Sequence, residues 1–317
     1  MKKAFLNCLI AALCMVLIGA PMASAKSYPK KPIKVIVPYS PGGDCDLTSR
    51  VWADFAKKEL GVPVVVVNKT GGSGMLGTSF VLRSKPDGYT LMLAQAGTAL
   101  LVPLLAGANY DYNDFTFISR IMTANCGIAV RKDAPWNTLE DFVKDAKANP
   151  GKFVFASPGA TTWVTLAMTN FEKTAGLKLK HLEHQGAAPA ITSILGKHAD
   201  VTFVFPQSYA PQVKSGNMKL LALGEKTDKF PGVASFEDQG YAGNYFGWGG
   251  ITGPKGMPKE VVEKLNAFNK KLTQDPKFIQ TLANTHADAG YLNPEDFAKA
   301  VSNQNKELTE VVKSIEK

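Results

Sequence analysis

"VIVPYSPGGDCD", residues 35–46, leads from an apolar β-rich segment through a Pro-Gly turn into "LTSRVWADFAKKELG", which has helical spacing. The same shape recurs at "FVFASPGATTW", residues 153–163: a strand, a Pro-Gly turn, then small polar residues that open a helix. A helix N-terminus offers unpaired N–H groups and a partial positive charge, and glycine lets the backbone come close to a ligand. One such joint is ordinary punctuation. Two joints in separate halves of a chain can grip an anion from both sides, as α/β sheets do outside the carboxyl ends of their strands.

Outward from these joints, short β-rich runs alternate with helical patterns. Strands are predicted at 33–39, 62–67, 89–94, 127–131, 152–157, 179–184, 201–205, 219–223 and 248–253. Helices are predicted at 46–60, 74–84, 138–148, 161–175, 187–196, 207–214, 258–274, 276–284 and 294–314, with Gly61, Gly176 and Gly196 just past three of their ends. This is an α/β pattern of sheets flanked by helices.

The N-terminus reads as an export signal. Met1-Lys2-Lys3 precedes the apolar "AFLNCLIAALCMVLI", and "GAPMASA" ends in the small-x-small triplet Ala23-Ser24-Ala25. The apolar core is short for a membrane span, so cleavage near Ala25 is expected rather than a retained anchor. Asn7 and Leu13, before Cys8 and Cys14, are not the small residues a lipidation site wants. The mature chain is then an exported protein starting near Lys26. Of 36 bases, Lys2 and Lys3 leave with the signal, so 34 stand against 27 acids. The excess is scattered lysine with no like-charge block, which fits a solvated surface or long-range steering of an anion and argues against nucleic acid. Cys45 and Cys126 remain in a compartment that permits disulfides; a bond would close a loop of about eighty residues, nominally worth roughly 4 kcal/mol. The spacing does not decide between a disulfide and two thiols.

In this order, "YPKKPIKVIVPYSPGGDCDLTSR", "LGVPVVVVNKTGGSGMLGT", "KPDGYTL", "FASPGATT", "HQGAAPAITSILGKHADV", "LLALGEKTDKFPGV" and "WGGITGPKGMP" span the mature chain. The ordered set resembles the Bug family, the periplasmic solute-binding subunits of tripartite tricarboxylate transporters. The resemblance implies a two-lobed periplasmic binding protein of the type II class, with parallel-rich mixed sheets flanked by helices and a cleft between lobes. It implies lobe one at 26–124 plus 225–317 and lobe two at 125–224. It further implies a monomer that captures a small organic anion, a di-/tricarboxylate or aromatic carboxylate, and delivers it to membrane permease subunits. A sensor subunit of the same fold, signalling after carboxylate binding, is the alternative function, and a secreted hydrolase is the less favoured one. Ligand contacts carried over from the family are Tyr39, Ser40, Gly42, Gly43 and Asp46 at the first joint and Ser157, Gly159, Ala160, Thr161 and Thr162 at the second. Gly74 is placed in a loop at the cleft mouth, and Gln95 follows the third strand as a further contact.

Departures from the family bear on specificity. His184-Gln185-Gly186 stands where many relatives read Tyr-Lys-Gly, and His184 and Gln185 are candidates to reach the cleft. Asp46 is also able to cap its helix and to pair with Arg50 four residues on. Asp44 sits awkwardly beside a carboxylate site; it is expected to face solvent or, alternatively, to meet an amine of the ligand. Trp163 is expected in the core rather than as a ligand-stacking wall.

Other motifs carry less. "GSGMLG", residues 72–77, matches a dinucleotide fingerprint, but no acid ends the following strand. His181 and His184 in "HLEH" lie on opposite faces of a strand, which disfavours a shared metal ion. Ser73 in "GGSGM" misses the nucleophile-elbow pattern by one residue, and Ser40 and Ser157 lack a readable His-Asp partnership. No enzyme activity, cofactor or metal is therefore expected.

Overall fold

A computed structural model describes residues 28–241, 246–284 and 287–315. The export signal read at 1–25 lies outside them. Strand β1 (Ile33–Val37), buried except at Lys34, feeds the Pro-Gly turn and helix α1 (Asp44–Leu60), which stops at Gly61 in the left-handed conformation. Then come β2 (Val64–Asn68), a tight turn at Gly72–Gly74, α2 (Met75–Leu82) and β3 (Thr90–Ala94). A π-type turn at Gly97–Leu101 runs into α3 (Val102–Ala106), followed by the long strand β4 (Phe115–Asn125). The chain continues through β5 (Gly127–Arg131), α4 (Leu139–Ala148), β6 (Val154–Ser157), α5 (Trp163–Ala175) and β7 (Lys180–Glu183). After these are α6 (Ala187–Leu195), β8 (Val201–Val204), α7 (Pro206–Lys214) and β9 (Met218–Leu223). It ends with β10 (Phe246–Pro254), α8 (Lys259–Leu272), α9 (Pro276–Ala283), β11 (Asp288–Leu292) and α10 (Pro294–Ile315).

The strands form two sheets, ordered β11-β4-β10-β3-β1-β2 and β7-β6-β8-β5-β9. In each sheet parallel pairs occupy one side, β2-β1-β3 in the first and β7-β6-β8 in the second. In the first sheet β10 pairs antiparallel with β3 and β4, and β11 with β4; in the second β5 pairs antiparallel with β8 and β9. The parallel pairs place both strand–turn–helix joints at strand carboxyl ends, the side where α/β sheets bind ligands. Strands β4 and β11 and the stretch 97–106 were not anticipated from the sequence.

Two segments pass between the sheets and lie side by side. One is the step from β4 through Cys126 to β5; the other leaves β9 at Gly224. The Asn125 carboxamide accepts from the Glu225 N–H at 2.9 Å and donates to the Glu225 carbonyl, while the Gly224 N–H reaches the Cys126 carbonyl at 2.9 Å. Cys45 and Cys126 are both free, buried thiols.

The first lobe is locked by a pair far apart in sequence. Trp52 of α1 is fully buried and donates its indole N–H to Oδ1 of buried Asn269 in α8 at 2.8 Å. The Asn269 amide in turn donates to Ser119 of β4 at 3.3 Å. Asn269→Leu strands the indole donor in an apolar core, which costs about 2 kcal/mol. Urea unfolding of the variant should show that loss; an unchanged midpoint would mean the indole finds another acceptor.

Candidate functional site

The first joint is held by Asp46, though not as a cap. Helix α1 begins at Asp44, two residues before the expected start, and its N-cap is Gly43. Asp46 therefore lies within the first turn. Its Oδ2 accepts from the Gly42 N–H and from Arg50 Nε, and its Oδ1 accepts from Arg50 and from Asn68, each at 2.9 Å. The pairing with Arg50 follows the four-residue spacing. Asn68, at the end of β2, also donates to the Tyr39 carbonyl at 3.0 Å, so the cluster fixes the turn from both sides. Burial pushes the Asp46 carboxyl up, but the Arg50 and Gly42 bonds, with Asn68, outweigh it and hold the pKa below the ordinary value.

Asp44 does not face solvent. It is 9% exposed and accepts a hydrogen bond from Gln95 Nε2 at 2.9 Å. Because the helix starts at Asp44, its side chain turns inward onto a cavity between the two lobes.

That cavity is partly open to solvent, and the space within its lining, its mouth included, is about 460 Å³. The first lobe contributes Tyr39, Asp44, Gln95, Ala96, Gly97, Gly247 and Trp248; the second contributes Pro158, Thr162, Trp163, Val164, Ala187, Val204 and Phe205. Trp163 packs against the core as expected and is also a cavity wall, and its buried indole N–H has no protein partner among the described residues. Four helices open on this wall: α1 at Asp44, α5 behind its N-cap Thr162, α6 at Ala187 and α7 behind its N-cap Phe205. Each such end carries roughly half a positive charge and N–H groups with no intrahelical acceptor. Among the described residues, no lysine, arginine or histidine lines the cavity. The walls are otherwise apolar. A Cβ at Gly247 would lie 1.8 Å from the Phe205 ring, so only glycine lets that ring close the wall.

The lobes touch beside the cavity. The Ser40 N–H donates to the Gln185 carbonyl at 3.0 Å, and the Thr161 N–H donates to Ser73 Oγ at 3.2 Å. The Tyr39 hydroxyl donates to the Ser73 carbonyl at 3.2 Å, placing Tyr39 behind this contact. Ser73, weighed in the sequence only as a nucleophile, is a bridge in a strained left-handed backbone with φ of 52°.

The remaining expected site residues divide. Gly159, Ala160, Thr161, His184 and Gln185 border a second recess of about 600 Å³, beside Gly72, Ser73 and Met75. Burial holds the His184 imidazole below its usual pKa, and its Nε2 has no protein partner among the described residues. Ser40, Gly42, Gly43, Asp46, Gly74 and Ser157 border neither space. Gly43 and Gly42 pack against Ala187 and Ala188 of α6, and Gly74 starts α2 against Thr98. Ser157 is fully buried at the end of β6, its hydroxyl unpaired. His181 is engaged with Glu172 at 2.7 Å. Sequence reading missed Ala187, Phe205, Gly247 and Trp248; the Gly-Ala step at 186–187 and Pro206 after a β run were the available signals.

Comparison with known proteins agrees with this architecture. Residues 48–316 match the family model described as tripartite tricarboxylate transporter family receptor. A Cupriavidus necator protein, "UPF0065 protein in gbd 5'region", is 31% identical over 92% of this chain and 90% of its own. The solved "Structure of a periplasmic transporter" superposes with a TM-score of 0.88 at 32% identity, covering 90% of this chain and 98% of the other. The periplasmic binding protein BugD superposes with a TM-score of 0.87 at 30% identity, covering 91% and 98%. The two mixed sheets flanked by helices are those of periplasmic binding proteins, and the chain belongs to the tripartite tricarboxylate transporter receptor family.

Proposed function

We propose that this chain is an extracytoplasmic solute-binding protein that captures a small organic carboxylate between its lobes and delivers it to a membrane permease. The observation that carries this reading is the set of three helix N-termini, α5, α6 and α7, that open opposite Asp44 on one cavity with no basic side chain among the described residues. Fixed N–H dipoles stabilise an anion without a salt bridge, and apolar walls take its carbon frame. Contacts from both lobes favour the closed form, by a hinge at the paired segments Asn125–Cys126 and Gly224–Glu225. On this reading the lobes divide at 26–124 plus 225–317 and 125–224. Residues 1–25 are a cleaved export signal, and the mature chain acts as a monomer without catalysis.

The test is the melting temperature of the chain from Lys26, refolded from denaturant to strip bound solute. The panel holds di- and tricarboxylates, aromatic carboxylates, amino acids, a simple ester and a dinucleotide. Ligand at about a hundredfold its Kd stabilises by about 2.7 kcal/mol, a shift of roughly 2–4 °C for a chain of this size. A shift confined to carboxylates is the expected outcome. No shift with any carboxylate would overturn the reading.

A further inference from the structure

We propose that Asp44 recognises a protonated amine, so that the solute is a carboxylate that also carries an ammonium group on an apolar body. The proposal rests on the carboxylate-binding reading above and names the substrate class for the same cavity.

Asp44 is a buried carboxylate on the cavity wall. Its hydrogen-bond partner among the described residues is an uncharged donor, Gln95 Nε2 at 2.9 Å, and the backbone N–H groups of Asp44 and Cys45 favour its charged form. The nearest pairing available at this turn is taken, because Arg50 is held by Asp46. A carboxylate accepts about four hydrogen bonds and Gln95 supplies one, which leaves room for donors from a ligand. Burying an unpaired carboxylate is costly, and a cation in the cavity removes that cost. Burial raises the Asp44 pKa in the absence of such a cation, with Gln95 and the two N–H groups opposing it.

The Asp44 carboxylate, in the first turn of α1, repels a ligand anion from that helix end. A ligand carboxylate is directed instead to α5, α6 and α7 across the cavity. An ammonium at Asp44 and a carboxylate at the opposite helix ends describe one zwitterion. Trp163, Trp248, Phe205 and Val164 between them accommodate its apolar part.

Calorimetric titration of matched pairs tests this: L-phenylalanine against 3-phenylpropanoate, L-leucine against 4-methylpentanoate, and L-aspartate against succinate. At least one amine-bearing member should bind roughly tenfold or more tighter than its partner. Asp44→Asn, which retains an oxygen acceptor for the helix N–H groups and Gln95, should erase that preference without lowering the melting temperature appreciably. If the deaminated members bind as tightly as the amines, or Asp44→Asn leaves the preference intact, Asp44 only caps its own helix and the proposal fails while carboxylate binding stands. If neither member of any pair nor any carboxylate of the wider panel binds, both readings fall.

Discussion

Gly186→Ala is expected to weaken solute binding by roughly tenfold or more while each lobe stays folded. Gly186 has φ of 139°, in a region that residues with a Cβ rarely enter, and an added Cβ would lie 2.5 Å from Ser40 Oγ and 3.1 Å from the Ser40 nitrogen. Ser40 belongs to the other lobe, where its N–H meets the Gln185 carbonyl. The backbone strain acts in any lobe arrangement, but the clash exists only when the lobes meet. The variant should therefore show a larger radius of gyration in solution scattering and a faster solute off-rate. Adding Ser40→Gly removes the hydroxyl in the way and should recover part of the affinity. Unchanged affinity in Gly186→Ala would mean that this contact contributes nothing to closure.

Asp46→Ala is expected to destabilise the first lobe by about 3 kcal/mol. The carboxylate is 2% exposed, and its removal leaves the Gly42 N–H without its acceptor and takes from the Asn68 amide one of two, the Tyr39 carbonyl remaining. Arg50 is half exposed and recovers water, so the loss falls at the low end for a broken buried pair. Chemical unfolding gives the magnitude, and pH gives the sign. The folded pKa lies below the unfolded one, so the stabilisation is fully present above the unfolded value near 4 and is lost as pH falls through the folded value. Acid should thus narrow the gap between the natural chain and Asp46→Asn. A gap that stays constant down to pH 2 would show that the carboxylate's charge is not what holds the turn.

Both joints were legible because they are local: β-rich residues, Pro-Gly, then small polar residues report their own geometry. The Asp46–Arg50 pair was legible for the same reason. The strand β4 was not. Its Ser119 and Arg120 interrupt the apolar pattern, and their partners, Asn266, Asn269 and Gly290, lie about 150 or more residues away. The stretch 97–106 was hidden by Gly97 and Pro103, which read as breakers. In the fold Gly97 opens a π-type turn and Pro103 sits in the first turn of α3, where no N–H is needed. Asp44 was misplaced because two residues of helix start decide whether its side chain faces water or the cavity. The cavity walls come from segments as distant as Tyr39 and Trp248, and their meeting depends on how the lobes close.

If solute binds in the cavity between the lobes, filling that space abolishes binding. Ala187 is 3% exposed on that wall, at the start of α6. Calorimetric titration of the most stabilising carboxylate should give one site per chain in the natural protein. It should give no measurable heat of binding in a folded Ala187→Trp variant, where the indole fills the space. Equal affinity in the two proteins would place the solute elsewhere and contradict the assignment of this cavity.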